Sequence, residues 1–69
     1  MKGFGERLKA LRISDGLTSK ELAKELQCGP SSVNYWERDI REPSISALKK
    51  ICDYFNVSAD YMLGRSERK

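Results

Sequence analysis

The sequence has no histidine, only two cysteines and two prolines among its 69 residues, and no long apolar run. Without histidine, the chain lacks the usual general base near neutral pH and the commonest metal ligand. The cysteines, Cys28 and Cys52, have no Cys-x-x-Cys companion, so they match neither a zinc site nor a disulfide framework, and we expect both to be buried small hydrophobes. These absences argue against an enzyme, a bound metal and a cofactor.

Membrane association is also not indicated. No apolar run approaches the roughly 18 residues needed to cross a bilayer, and residues 1–6 lack the apolar region of a signal peptide. We therefore expect a cytoplasmic protein with no membrane partner. Its 13 basic and 10 acidic residues give a mild net charge of +3. A core this small seldom supplies more than about 3–5 kcal/mol, which favours compact local helices or a partner chain.

Helical periodicity and turn residues predict two helices in the first part of the chain. Apolar residues at helical spacing form one stripe over residues 4–13, and Asp15-Gly16 ends that helix. Thr18 and Glu21 have the spacing of a capping box, which predicts a second helix over residues 18–26.

A third helix is predicted over residues 30–38. Gly29 is a suitable N-cap, and Pro30 suits the first helical position because its missing N–H would have no partner there. Asp39 tolerates the left-handed conformation that ends many helices, so we expect that conformation after this helix.

Two more helices complete the predicted fold. Ser44 caps the fourth helix, and Ser58 or Ala59 begins a short fifth helix that Gly64 ends. The apolar face of the fourth helix is predicted to consist of Ile45, Leu48, Ile51, Cys52 and Phe55. Because no segment alternates apolar and polar residues over strand length, the prediction is an all-α, compact five-helix bundle. We expect one domain, residues 1–64, followed by a frayed basic tail over 65–69.

The third helix carries the functional signal. On a helical wheel, Val33 and Trp36 point inward, where both are expected to join the core. The opposite arc presents polar side chains, namely Ser31, Asn34, Tyr35 and Arg38. An amide, hydroxyls and a guanidinium suit base edges and phosphates, although most polar helix faces are simply solvated. The short connection from the preceding helix is typical of a helix-turn-helix, and it favours DNA binding here.

Five segments of the sequence strengthen this interpretation: FGERLKALR (4–12), LTSKELA (17–23), VNYWER (33–38), REPS (41–44) and FNVSADYMLG (55–64). Through them, residues 4–63 resemble the Xre family of helix-turn-helix domains, to which phage Cro and CI repressors belong. The resemblance implies a lambda-repressor-like fold. It also implies a sequence-specific regulator of transcription that binds double-stranded DNA, with a repressor acting on a palindromic operator as a homodimer favoured.

The resemblance also implies roles for individual residues. Ser31, Asn34 and Tyr35 correspond to positions that face base edges in the major groove. Pro30 stands at a neighbouring readout position, where it offers only apolar contact. Arg38 corresponds to a position that contacts the DNA backbone.

Further positions correspond to backbone contacts and to a structural pair. Arg41 matches a backbone-contacting position in the loop after the third helix. Ser19 stands where the family commonly has glutamine, and its hydroxyl still suits a phosphate. Arg12 and Glu37 match a structural ion pair. Lys20, near the start of the second helix, is a further candidate for phosphate contact, with simple solvation as the alternative.

Two departures from the family pattern affect the turn. Gln27 stands where the family usually has glycine, so either its backbone is mildly strained or the turn is shifted by one residue. Gly29-Pro30 replaces the frequent serine-led start of the third helix. Both departures leave open the docking angle and the first base contact.

The C-terminal helix is the candidate dimer interface. Tyr61 and Met62 supply more apolar surface than so short a helix easily buries, and packing within the chain is the alternative. Two other functions remain open. One is a protein-interaction module, such as the DNA-binding subunit of an antitoxin, and the other is a regulator switched by oxidation of Cys28 and Cys52.

Overall fold

The computed structural model describes residues 3–69, and Met1 and Lys2 lie outside the described residues. Within that range the elements are helices only: α1 (Phe4–Ser14), α2 (Ser19–Glu25), α3 (Ser32–Glu37), α4 (Ile45–Phe55) and α5 (Ala59–Met62). The predicted all-α, five-helix architecture is therefore confirmed. In this part of the chain, no helix is both long enough and apolar enough to cross a membrane.

Side-chain hydroxyls start three of the helices, as the sequence predicts. Thr18 Oγ1 accepts from the backbone N–H of Glu21 at 3.1 Å, and Glu21 Oε1 accepts from the N–H of Thr18 at 2.8 Å. This reciprocal capping box satisfies two N–H groups that the first turn of α2 leaves without helical partners. Ser44 and Ser58 each accept an N–H bond at 3.0 Å at the starts of α4 and α5.

The five described helices end in one common way. A residue with positive φ follows each helix, and the next residue donates its backbone N–H to a carbonyl five positions earlier, at 2.8 to 3.1 Å. Asp39 takes this conformation as predicted, with φ of 57°. Gln27 takes it too, also at 57°, so a strained backbone, and not a shifted turn, accommodates the departure from glycine.

The core lies between the helices, and the described residues contribute nine buried side chains to it: Phe4, Leu8, Leu22, Ala23, Leu26, Val33, Trp36, Ile51 and Met62. The core positions predicted for Val33 and Trp36 are confirmed. Cys28 and Cys52 pack against this core but are only partly buried.

Two sequence-based expectations about apolar residues are wrong. Ile45 is 87% exposed, because it lies in the first turn of α4, before the helix reaches the core at Ala47 and Leu48. Met62 is fully buried, because α5 packs against both α1 and α4. Met62 therefore gives no surface to a second copy of the chain, and it is removed from the dimer-interface candidates.

The basic tail is not frayed in the structure but lies against α5. The N–H of Ser58 donates to the main-chain oxygen of Lys69 at 2.8 Å, and the Ser58 hydroxyl donates to the carbonyl of Arg68 at 3.2 Å. The ammonium of Lys69 lies 5.8 Å from the centre of the Tyr61 ring, an additional cation–π contact. Tyr61, the other dimer candidate, is thus half-buried and already partnered within its own chain.

The packing of α1 against α3 fixes where α3 sits. Gly5 is buried at this contact, and a Cβ at its position would overlap the carbonyl oxygen of Glu37. The same Gly5 donates its backbone N–H to Oδ1 of Asp39 at 3.3 Å. The residue that ends α3 therefore also satisfies an N–H group at the start of α1.

Candidate nucleic-acid interface

Helices α2 and α3 are joined by a tight turn that brings α3 close to α2. The N–H of Cys28 donates to the carbonyl of Ala23 at 3.0 Å, which closes the end of α2. The N–H of Ser32 then donates to the carbonyl of Gly29, also at 3.0 Å. This bond joins residues three positions apart, as in a β-turn, so residues 29–32 form a turn before the first residue of α3. The predicted helix start at Pro30 is therefore wrong: Pro30 lies in the turn, and α3 begins at Ser32.

The exposed and buried faces of α3 agree with the wheel drawn from the sequence. Val33 and Trp36 are buried, while Asn34 is exposed on the helix itself. Ser31 and Arg38 flank the helix at its two ends and are exposed as well. Tyr35 is half-buried. The surface of α3 therefore offers an amide, a guanidinium and hydroxyls to a partner, over a firmly packed apolar base.

Tyr35 and Arg41 are brought together across the loop that follows α3. The guanidinium carbon of Arg41 lies 5.2 Å from the centre of the Tyr35 ring, within the range of a cation–π contact. The carbonyl of Tyr35 accepts from the N–H of Ile40 at 3.0 Å and from the N–H of Arg41 at 3.5 Å. Sequence reasoning placed both residues at the interface but missed this contact, because only the loop path determines it.

Residues of α2 and the turn share a shallow groove of about 460 Å³. Its walls include the phosphate candidate Lys20 and the readout candidate Pro30, together with Lys24 and Cys28. Lys20 is exposed and Ser19, the first residue of α2, is half-buried. The structure therefore brings Lys20 and Pro30 together.

An ion pair beneath the site joins α1 to the end of α3. The Nε of Arg12 lies 2.6 Å from Oε2 of Glu37, and Nη2 lies 3.0 Å from Oε1, so the pair is bidentate. Nη1 of Arg12 also donates to the carbonyl of Leu17 at 2.8 Å. The two side chains are 13% and 7% exposed. The hydrogen bonds to Glu37 raise the pKa of Arg12 above its ordinary value, against the opposing effect of burial.

The two thiols show no sign of activation. Burial raises the pKa of Cys28, against the opposing effect of Lys50. Burial, reinforced by Asp53, also raises the pKa of Cys52. Because the thiolate is the reactive form, both shifts reduce reactivity at neutral pH. Residues 3–69 contain no group of three or more His, Cys, Asp or Glu side chains placed to hold a metal ion.

Two packed helices, α2 and α3, are joined by a tight turn, and the second of them has an exposed polar face. This arrangement defines a helix-turn-helix domain. A helix-turn-helix family model matches residues 8–62, and the chain belongs to that family. The family predicted from the sequence is confirmed.

One relative of this chain is named as a regulator of transcription. The HTH-type transcriptional regulator ImmR of Bacillus subtilis (strain 168) is 43% identical over 64 residues, which cover 93% of this chain and 50% of ImmR. The chain thus spans about half the length of that relative.

Two solved structures resemble the fold closely. The P22 c2 repressor in complex with a synthetic operator matches with a TM-score of 0.87 and 26% identity, over 96% of this chain and 100% of that chain. The N-terminal DNA-binding domain of SinR from Bacillus subtilis matches with a TM-score of 0.79 and 31% identity, over 87% of this chain and 88% of that domain.

Proposed function

We propose that this chain is a sequence-specific regulator of transcription that binds double-stranded DNA through α3. The observation that carries the proposal is the polar, exposed face of α3 on a buried apolar base, in a chain of the helix-turn-helix family. In this mode the second helix of the motif enters the major groove. Regulators named among the relatives act on transcription, which supports the same activity here.

Base readout is assigned to the exposed face of α3 and to the turn before it. Asn34 offers the amide that can bond bidentately to adenine, and Ser31 offers a hydroxyl to several base edges. Tyr35 offers its ring to a thymine methyl group. Pro30 contributes only apolar contact.

Phosphate contacts are assigned to residues that flank this face. Arg38 follows the last residue of α3, Arg41 lies in the next loop, and Ser19 and Lys20 begin α2. Such contacts position a protein on the duplex without reading its sequence. The proposed location is the compartment that holds the DNA, which for a bacterial regulator is the cytoplasm.

We also propose that the chain acts as a homodimer on a palindromic operator, in the manner of a repressor. One recognition helix reads only a few base pairs, so a second copy about one helical turn away supplies the missing specificity. Occupation of an operator that overlaps a promoter would block RNA polymerase. Tyr61 keeps a role at the interface only through its exposed part, while Ile45 offers the most exposed large apolar side chain of residues 3–69.

Selection of bound duplexes from a random library, followed by sequencing, tests both proposals. It reports the half-site, its symmetry and its spacing. Sedimentation of the wild type and of Tyr61→Ser and Ile45→Ser variants, with and without the selected duplex, then identifies the dimer contact. A single asymmetric half-site bound by a monomer would refute the homodimer.

A matched pair of variants tests the readout role of α3. Asn34→Ala should weaken binding to the selected duplex by about 1–3 kcal/mol and relax one base position. Ser14→Ala, an exposed change at the end of α1, should leave binding unchanged. Equal losses on selected and random duplexes would contradict base readout by Asn34. No selectivity by the wild type at moderate salt would instead favour the protein-interaction module.

A further inference from the structure

We infer that Arg41 sets base preference by holding the ring of Tyr35 in place, in addition to contacting phosphate. The inference rests on the proposed function, since it assigns Arg41 a second role at the same interface. It makes Arg41 a positioning residue for readout.

The loop after α3 holds Tyr35 at two points. The Arg41 guanidinium lies over the ring at 5.2 Å, and the backbone N–H groups of Ile40 and Arg41 both donate to the Tyr35 carbonyl. Ring and backbone are therefore held by the same short segment. Since one face of the ring is covered, the freedom of the tyrosine side chain to change rotamer is reduced.

The loop itself is anchored, so it can act as a fixed support. Asp39 has a φ of 57° and accepts the backbone N–H of Gly5 with its carboxylate at 3.3 Å. Pro43 is buried, which fixes the far end of the loop. The Arg41 backbone is therefore held between a residue bonded to α1 and a buried proline.

Stacking and phosphate contact are compatible in one arginine. A guanidinium is planar, and its N–H donors point outward in that plane, so the edge stays free when a face lies on a ring. Lysine keeps the charge but has no planar face, so it can make only the point contact that Lys69 makes with Tyr61 and cannot cover the ring. Arg41→Lys therefore separates the two roles, because it retains attraction to phosphate and loses the stacking surface.

The test measures wild-type and variant binding to the selected operator and to all its single-base changes, over a range of salt concentrations. Tyr35→Leu first identifies the base position that Tyr35 reads. At that position Arg41→Lys should reduce discrimination roughly tenfold, while the slope of log K against log salt stays unchanged. In the Tyr35→Leu background, Arg41→Lys should have no further effect on base preference.

Arg65→Lys is the matched control. It makes the same chemical change at an exposed arginine after α5, to which no DNA contact is assigned, and within residues 3–69 no ring contact is found for Arg65. It should leave base preference intact.

An NMR measurement tests the contact between Arg41 and Tyr35 without DNA. The side-chain protons of Arg41 should show an upfield ring-current shift, and Tyr35→Leu should abolish that shift.

The possible outcomes separate this inference from the proposed function. Equal weakening of all duplexes by Arg41→Lys, or unchanged discrimination at the Tyr35 position, overturns the positioning role. The same holds if Tyr35→Leu relaxes no position or if the ring-current shift is absent. Failure of the wild type itself to distinguish selected from random duplexes overturns the proposed function instead.

Discussion

Removing either member of the Arg12–Glu37 pair should cost most of the stability of the domain. The side chains are 13% and 7% exposed, so a single substitution leaves the other charge with little access to water. Loss of one partner of a fully buried pair costs about 3–5 kcal/mol, and this is the upper bound for the part-buried Arg12–Glu37 pair. A core of this size supplies only about 3–5 kcal/mol in total. At room temperature about half or more of the molecules of each single variant, Arg12→Met or Glu37→Met, should therefore be unfolded.

The double variant, Arg12→Met with Glu37→Met, should recover most of that loss. Replacement of both charges by apolar groups of similar size is often close to neutral. Recovery should be incomplete, because the carbonyl of Leu17 loses the bond that it accepts from Arg12 at 2.8 Å.

Urea unfolding followed by far-ultraviolet circular dichroism measures these differences. Trimethylamine N-oxide, which favours the folded state, brings the single variants into a measurable range. The control is Lys49→Met, which breaks an exposed pair with Asp53 at 3.4 Å and should change stability by less than about 0.5 kcal/mol. If the single variants had the same urea midpoint of unfolding as the wild type, the reasoning would be refuted.

Three further predictions concern backbone and capping positions. Gly5→Ala should destabilise the fold by about 1–3 kcal/mol in urea unfolding, because its Cβ would overlap the carbonyl of Glu37; Gly29→Ala, whose Cβ has room, should cost clearly less. Gln27→Gly should raise Tm by about 2–8 °C in a thermal scan, because it relieves a left-handed φ of 57° at the cost of more chain entropy in the unfolded state; a lower Tm would contradict this. Hydrogen bonds from Thr18 lower the pKa of Glu21, so ionised Glu21 adds stability above the ordinary glutamate pKa. That contribution is lost as the pH falls through the lowered pKa, so the stability difference between wild type and Glu21→Gln should shrink below about pH 5; a constant difference in urea unfolding would exclude this role.

Local features of the fold could be predicted from the sequence because short-range chemistry decides them. The hydroxyls of Thr18, Ser44 and Ser58 start helices through bonds to residues three positions ahead. Asp39 ends α3 because its side chain tolerates a left-handed backbone. The outward face of α3 follows from helical geometry once Val33 and Trp36 are assigned to the core.

The error at Pro30 arose where two local patterns compete, and the errors at Ile45 and Met62 arose where distant parts of the chain decide the outcome. Pro30 is compatible with a first helical position, but the short bond from Ser32 to Gly29 makes it part of a turn. Ile45 has the correct helical spacing yet lies beyond the reach of the core. The burial of Met62 depends on how α5 meets α1 and α4, and no local pattern contains that information.

The size and charge of the chain make accurate placement of α3 more important than general attraction to DNA. A net charge of +3 gives a weak, sequence-independent pull on the phosphates, so specific affinity has to come from a few side chains held in the right places. Yet α3 has only 6 residues and is too short to be a stable helix by itself. Its geometry is set from α1, by the close approach of Gly5, the carboxylate of Asp39 and the Arg12–Glu37 pair. Substitutions on α1 that never touch DNA should therefore weaken specific binding more than non-specific binding.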